Sequence, residues 1–337
     1  MMVVITTLLV VCSSPDFVSQ NYSSAVRHTE GQVAGTESNR GELLTLRGKR
    51  LYVEILGSKD APPLLYLHGG PGAGVYDFGF HQGTNLSKNF RLIMMDQRGV
   101  LRSDPIEENE PFGLDDIIED AEALREHLAI KRWSVIGHSF GAYVAVRYAT
   151  LYPAAIQKLI LESPTLDLAS TNRSLLRGVA AEYRLKGNTE AADKAASLIS
   201  SQLSSRELWQ GFTKLINGLG DSRFNLYMHG PNKKVFLELV ASSGLSQELW
   251  SRQETHQRKL FTEGKVFESL IPSLVEIQCP VLLIRGKYDY VTAADQVRAF
   301  KQKVRRGKVI TFKNSSHFPR VEEPAHYAEV VTKFLQR

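Results

Sequence analysis

The sequence predicts an α/β protein: a mostly parallel sheet flanked by helices, with a helical cap inserted between two of its strands. Three observations predict it. Short apolar bursts alternate with stretches of helical spacing, the pattern of strand–helix–strand units whose sheet is covered on both faces. One burst runs directly into Gly137-His138-Ser139-Phe140-Gly141 and then into a helix rich in small residues. More than a hundred residues, from about Leu166 to Pro272, carry helical patterns and almost no strand signal.

Taken in order, Leu43–Arg47 and Arg50–Leu56 alternate as strands do, with Gly48 and Lys49 as the hairpin turn between them. That hairpin adds antiparallel strands at one edge. Pro63–Leu67 is an apolar burst ending in His68-Gly69-Gly70-Pro71-Gly72, and Arg91–Met95 is another, ending in Asp96-Gln97-Arg98-Gly99. Leu114–Leu128 is helical, because Ile117, Ile118, Ala121, Leu124 and Leu128 fall on one face. Trp133–Ile136 reads as a buried strand, and Ala142–Leu151 as a helix stopped by Pro153. Lys158–Leu161, Val281–Ile284 and Val309–Phe312 complete the strands, and Pro324–Leu335 is a closing helix. In the insertion, Ala180–Tyr183, Ala191–Leu203, Leu208–Ile216 and Val235–Leu239 have helical spacing. The expected division is residues 42–165 and 273–337 for the α/β core and 166–272 for the cap, without internal repeats.

Residues 1–41 stand apart. Val3 to Val11 is an apolar run too short to span a bilayer, which takes roughly 20 residues. No Lys or Arg precedes it, as one would in a signal peptide. Leu9-Val10-Val11-Cys12 followed by Ser13-Ser14 looks like a bacterial lipoprotein box with Cys12 lipidated, although Val11 stands where such boxes want a small residue. Two locations stay open: export or membrane anchoring through a lipid on Cys12, or the cytoplasm. Ser13 to Gly41, rich in Ser, Asn and Gln, reads as a polar linker. No later segment has the apolar length to cross a membrane.

The 337 residues are enough to bury a sizeable core and still carry an insertion. Hydrophobic residues at 43% and charged residues at 23% exclude collagen-like, low-complexity and wholly disordered classes. Basic residues number 41 against 36 acidic, a formal +5 spread along the chain, so nucleic acid is not an expected partner. The densest basic run, Lys301, Lys303, Arg305, Arg306 and Lys308, reads as a solvated helix end and turn. Cys12 and Cys279 cannot make a disulfide framework, and Cys279 opens an apolar run as a small buried hydrophobe. No zinc spacing of Cys or His occurs, and neither a metal nor a cofactor is expected.

The chemistry centres on Gly137-His138-Ser139-Phe140-Gly141, a Gly-x-Ser-x-Gly with a strand before it and a helix after it. A nucleophile on such a turn needs a strained backbone, and side chains at the flanking positions would collide with the adjacent strand and helix. The turn lifts the Ser139 hydroxyl above the sheet at a helix N-terminus, where developing negative charge is favoured. A serine hydroxyl also needs a base. Of nine histidines, His317 is best placed, following the last strand in Asn314-Ser315-Ser316-His317-Phe318-Pro319. His138 is expected to pack beside the turn, and His68 and His81 to lie in loops near the site. His28, His127, His229, His256 and His326 read as structural or exposed.

An acid should hold the far nitrogen of the imidazole. Asp289, in Gly286-Lys287-Tyr288-Asp289 after a strand, is the first choice, and Asp167 the second. Asp295 reads as lying near the start of the next helix. The backbone N–H of Phe140 is one oxyanion donor, and His68-Gly69-Gly70-Pro71-Gly72 would supply the other through Gly70.

These residues together resemble the α/β-hydrolase superfamily and, within it, the proline iminopeptidase family of serine hydrolases. The resemblance runs from about Leu43 to Arg337. Besides the segments quoted above, it is carried by Glu322-Glu323-Pro324. It implies the α/β-hydrolase fold, the chain order serine, acid, histidine, and a small-molecule or short-peptide substrate. Family members remove N-terminal residues, often proline, from short peptides without metal or cofactor, and several hydrolyse other amides or esters.

The chain departs from the family pattern in three places. Val100-Leu101-Arg102 follows Asp96-Gln97-Arg98-Gly99 where Gly-rich sequence is usual. Tyr227-Met228-His229-Gly230-Pro231-Asn232 resembles a cap segment ending Gly-Pro-x-Glu-Phe, with Lys233 in place of that glutamate. Tyr290 stands where some members place a second acid. Those acids bind the free amine of the substrate, and a buried ammonium needs a carboxylate. Other acids of the cap, such as Glu182, Glu207 or Glu238, are candidates to substitute. Three readings follow: an iminopeptidase-like peptidase, an esterase or amidase for small neutral acyl substrates, and a non-catalytic binding protein on the same fold. An epoxide or halide hydrolase is disfavoured, because its nucleophile would be Asp where this turn carries Ser139. Trp209, Trp250, Phe212, Phe224 and Tyr227 supply aromatics to the cap, chiefly for its packing.

Overall fold

The strands, in chain order, are β1 (Glu42–Leu46), β2 (Lys49–Leu56), β3 (Pro63–Leu67), β4 (Arg91–Met95), β5 (Trp133–His138), β6 (Ile156–Glu162), β7 (Val281–Gly286) and β8 (Gly307–Phe312). They form one sheet in the order β1-β2-β4-β3-β5-β6-β7-β8. The pairs β1–β2 and β2–β4 are antiparallel and the remaining five are parallel. The leading hairpin therefore lies at one edge, as expected. This computed structural model describes residues 40–230 and 243–337. The expected helix at Val235–Leu239, the Cys12 box, Lys233, Glu238 and His28 lie outside the described residues.

The central strands read as continuous apolar runs because the sheet is covered twice. Leu64, Leu92, Ile136, Ile160 and Leu282 face one helical layer, in a cluster with Phe78, Tyr327 and Val331. Their neighbours Leu65, Ile93, Val135, Leu159 and Leu283 face the other, in a cluster with Ile117, Leu124 and Val144. The first layer is α1 (Tyr76–Leu86) and the closing helix Pro324–Gln336; the second is α2 (Leu114–His127) and α3 (Phe140–Leu151).

Between β6 and β7 the described residues form helices only: α4 (Leu168–Leu185), α5 (Thr189–Ser200), α6 (Ser205–Asn217), α7 (Gln247–Ser251), α8 (Gln253–Glu263) and short 3₁₀ turns. The first three enclose an apolar cluster of their own, built on Leu176, Val179, Ala195, Leu208 and Phe212. Ala180–Tyr183 is thus the end of an 18-residue helix. Its start is less visible in sequence because Ser170, Thr171 and Asn172 are weak helix formers. Asp167 supplies the N-cap, its carboxylate accepting from the Ser170 N–H at 2.7 Å.

After β7 come α9 (Ala294–Lys303), α10 (Pro319–Glu322) and α11 (Pro324–Gln336). Asp295 is in the first turn of α9, as expected. Cys279 is buried, and burial pushes its thiol up to about 11. Among the described residues no helix is long and apolar enough to cross a membrane. No group of three His, Cys, Asp or Glu side chains among them could hold a metal ion.

Candidate active site

Ser139 sits between the end of β5 and the first residue of α3 with φ 55° and ψ −117°, a conformation that L-residues rarely adopt. The flanking glycines permit it through close approach. A Cβ on Gly137 would lie 2.7 Å from Ala142 Cα, and one on Gly141 would lie 2.6 Å from the His68 carbonyl oxygen. The Ser139 N–H donates to the Glu162 carbonyl on β6 at 2.9 Å, which fixes the turn to the neighbouring strand.

His317 follows β8 and stands beside this turn. Its ring centroid is 4.7 Å from that of His138. His317 Nδ1 pairs with Asp289 Oδ1 at 3.2 Å, with both side chains buried. Since carboxylate oxygens accept, Nδ1 carries the proton and Nε2 is the nitrogen left for another group. Burial opposes the charge on Asp289, but the His317 imidazole and the Val291 N–H, which donates at 2.8 Å, hold its carboxyl below the usual value. Asp167, the alternative acid, is occupied as the α4 cap. Of the expected residues the structure thus brings Asp289 to His317, and His317 beside the turn that carries Ser139.

The backbone around His317 is clamped from several directions. The Glu322 carboxylate accepts from the Ser316 N–H (2.8 Å) and the Phe318 N–H (3.2 Å), and on its other oxygen from the His229 N–H (2.7 Å). Burial pushes this carboxyl above the ordinary value, and the three donors only partly offset it. The His317 N–H donates to the Tyr227 carbonyl at 3.0 Å. His138 Nε2 lies 3.1 Å from the His317 carbonyl oxygen, and burial holds its imidazole far below the usual histidine value. That carbonyl can only accept, so Nε2 is the protonated nitrogen of a neutral ring. His138 is a packing and clamping residue, as expected.

The remaining histidines also fall into place. His68 is buried, accepts from the Gln97 N–H at 3.1 Å, and is pushed down by burial. His81, expected in a loop, lies within helix α1 and is likewise lowered by burial. His127 and His326 are exposed, and His229 stacks on Tyr288 with ring centroids 3.8 Å apart. His256, on α8, is buried against the Arg98 carbonyl.

Sequence reasoning did not single out Arg320. Its guanidinium, three residues after His317, is buried between Asp77 (2.5 Å) and Glu162 (3.2 Å), the residue whose carbonyl accepts the Ser139 N–H. Burial pushes the Glu162 carboxyl up despite that partner. The signal was available only as a charged residue in an apolar neighbourhood. The segment Asp96-Gln97-Arg98-Gly99 is a brace: Asp96 accepts from the Val75 N–H at 2.9 Å and from Arg102 Nε at 2.8 Å. Arg98 forks onto Asp120 at 2.6 and 2.7 Å.

Gly70, Ser139 and Phe140 line one pocket, which has an empty volume of about 630 Å³ including space open to solvent. Leu168, Leu175, Trp209, Phe261, Val266 and Val291 form its apolar walls. Its polar lining comes from Tyr143, Thr165, Thr171, Asn172 and Gln257, so among the described residues no Asp, Glu, Lys or Arg lines it. Gln257 Nε2 donates to the Pro71 carbonyl at 2.8 Å and holds the Gly70 loop. Glu182 bonds Asn225 near the surface, and Glu207 caps α6 in solvent; neither reaches the pocket. Tyr290 packs in the cluster of α4–α6, with its ring against Gly178. Trp209 stacks on Phe261 at 4.3 Å and lines the pocket, whereas Phe212 and Tyr227 pack in the α4–α6 cluster. Phe224 and Trp250 pack with Val100 and Leu101, two of the three residues that replace the expected Gly-rich sequence.

Residues 62–324 match the family described as the alpha/beta hydrolase fold. A proline iminopeptidase of Saccharolobus solfataricus is 24% identical over 290 residues, 81% of this chain and 84% of that protein. A proline iminopeptidase of Neisseria gonorrhoeae is 37% identical over 112 residues, 33% of this chain and 36% of that protein. Among solved structures, a proline iminopeptidase-related protein from Thermus thermophilus superposes with a TM-score of 0.66 at 21% identity, covering 88% of this chain and 96% of that one. An enol-lactonase from Burkholderia xenovorans superposes with a TM-score of 0.63 at 18% identity, covering 88% of this chain and 100% of that one.

Proposed function

The chain belongs to the α/β-hydrolase family and is a hydrolase, and on that premise we propose that it is a serine hydrolase that forms an acyl-enzyme on Ser139. Ser139 Oγ attacks a substrate carbonyl while His317 Nε2 takes its proton. Asp289 fixes the His317 tautomer and stabilises the imidazolium. The N–H groups of Gly70 and Phe140 hold the oxyanion. His317 then protonates the leaving group, and a water activated by the same imidazole clears the acyl group. Every group in this scheme belongs to the chain itself, and no cofactor takes part.

We propose neutral acyl esters or amides as the substrates. The single observation that carries this is the pocket beside Ser139: apolar walls with hydroxyls and amides, and no carboxylate among the described residues. An ammonium buried there would lack a counter-charge. The second reading, an aminopeptidase, is favoured by the relatives named proline iminopeptidase. It requires an acid from outside the described residues, such as Glu238, which follows Lys233 in the sequence.

The test compares three chromogenic substrates: a free-amine prolyl arylamide, its N-acylated counterpart and a short-chain aryl ester, with Ser139→Ala as the blank. Preference for the blocked amide or the ester supports the neutral-acyl reading. A preference of about a hundredfold for the free amine, about 2.7 kcal/mol of transition-state stabilisation, overturns it in favour of the aminopeptidase. Full activity in Ser139→Ala removes the serine mechanism altogether.

A further inference from the structure

Asn172 lies in the first turns of α4, where the chain enters the insertion, and its side chain lines the pocket beside Ser139. The residue is 1% exposed, and its Nδ2 donor has no hydrogen-bond partner among the described residues. Buried amide donors are otherwise nearly always paired, because an unpaired one keeps its full desolvation penalty. The polar neighbours show the contrast. Thr171 Oγ1 donates to the Val291 carbonyl at 3.0 Å and accepts from Gln296 Nε2 at 2.9 Å. Both Gln257 donor contacts go to protein oxygens, Pro71 and Gln253. The Tyr143 hydroxyl is taken by the Lys265 carbonyl at 2.6 Å.

The helix turn that carries Asn172 is fixed in place. Asp167 caps it, and Gln296 Oε1 accepts from the Leu166 and Asp167 N–H groups at 2.6 and 3.1 Å. A rigidly held, unpaired donor in a pocket with largely apolar walls is the arrangement that selects a ligand by a polar contact.

Resting on the serine-hydrolase reading above, we infer that Asn172 is a specificity residue whose Nδ2 donates to an uncharged oxygen acceptor (a ketone, ester or amide carbonyl) borne on the acyl part of the substrate. A purely aliphatic acyl group leaves the donor unpaired. The preferred substrates are therefore acyl groups with a second, neutral carbonyl beyond the scissile one.

The experiment measures kcat/KM for a set of aryl alkanoates and the same esters with one chain methylene replaced by a carbonyl at successive positions. The wild-type enzyme is expected to prefer at least one oxo-ester over its parent by about tenfold, equivalent to about 1.4 kcal/mol. Asn172→Leu, close in volume, is expected to bring that ratio to about one and to raise the melting midpoint, since an unpaired buried donor is removed. Asn172→Ala gives the same ratio test if the leucine variant does not fold. A flat profile in the wild type, or a ratio kept in the variants, overturns the proposal while leaving the serine mechanism standing. Hydrolysis of the esters by Ser139→Ala overturns that mechanism instead, so the two failures are told apart.

Discussion

His138, the residue before Ser139, donates its Nε2–H to the carbonyl oxygen of His317 at 3.1 Å. The nucleophile turn and the loop that carries the proposed base are therefore joined by a direct bond between β5 and the segment after β8. The His138 ring that makes it is held neutral, first by burial and then by the nearby Arg320 guanidinium, and the bond itself only partly opposes this.

Replacing that donor tests the join. His138→Phe leaves a buried carbonyl unpaired, at a cost of about 1–3 kcal/mol in stability. It also loosens His317, so kcat is expected to fall about tenfold or more while KM changes little, because misplacing a catalytic group by about 1 Å can cost about a hundredfold. Steady-state kinetics and thermal melts check both effects, and His138→Gln should recover part of each by restoring a donor.

Ser139 occupies a backbone region that non-glycine residues pay about 1–3 kcal/mol to enter. Ser139→Gly removes that strain and loses about 0.5–1 kcal/mol to the greater freedom of the unfolded chain. The variant is expected to be inactive and more stable than the wild type by about 1 kcal/mol in urea unfolding. A midpoint below the wild type would show that the turn is not strained.

Gly141→Ala and Gly187→Ala should differ sharply. A methyl at position 141 runs into the Leu67 and His68 carbonyls, whereas position 187 has φ 73° and nothing within 4 Å. The first is expected to cost about 3 kcal/mol or more, or to prevent soluble expression, and the second about 1 kcal/mol. Comparing soluble yield and melting midpoint for the pair isolates steric overlap from backbone conformation.

Acid should destabilise the fold through His256. Burial, with His68 nearby, drives its value down to about 3, and the Arg98 carbonyl only partly opposes this. Below the ordinary histidine value of about 6.5 the unfolded chain takes up a proton that the folded chain refuses. Stability contributed by the neutral ring is thus present above about pH 6.5. It falls by about 1.4 kcal/mol per pH unit until about pH 3. His256→Asn, which keeps a donor for Arg98, is expected to flatten this slope when unfolding is measured from pH 7 to pH 4.

Much of this arrangement is legible in sequence, for reasons that are local. Strand bursts such as Leu64–Leu67 and Val281–Ile284 are apolar on both faces and sit beside turn signals, so periodicity and glycine placement suffice. The positions of Ser139, Asp289 and His317 follow from strand ends in the same way. Helix α1 is less visible because Gly79 and Gly83 interrupt its pattern, and the beginning of α4 because its Ser, Thr and Asn residues form helix only with Asp167 and Gln296 beneath them. Arg320 and Asn172 were hidden for a different reason. Arg320 acquires its role from Glu162 and Asp77, which lie far away in the chain, and Asn172 from the lack of a partner among the described residues, and no local pattern encodes that.

The sheet is also assembled from two stretches of chain that leave the ribosome far apart in time. β6 pairs with β5 on one side and with β7 on the other, yet more than a hundred residues separate β6 from β7. At typical synthesis rates of about 5–20 residues per second, roughly 5–20 s pass before β7 exists. During that interval the apolar edge Leu159-Ile160-Leu161 has no strand to meet, and such edges template association between chains. Each newly made molecule therefore needs the emerging helices of the insertion, or a chaperone, to shield that edge. The nucleophile turn is complete during this time, while Asp289 and His317 have yet to be translated.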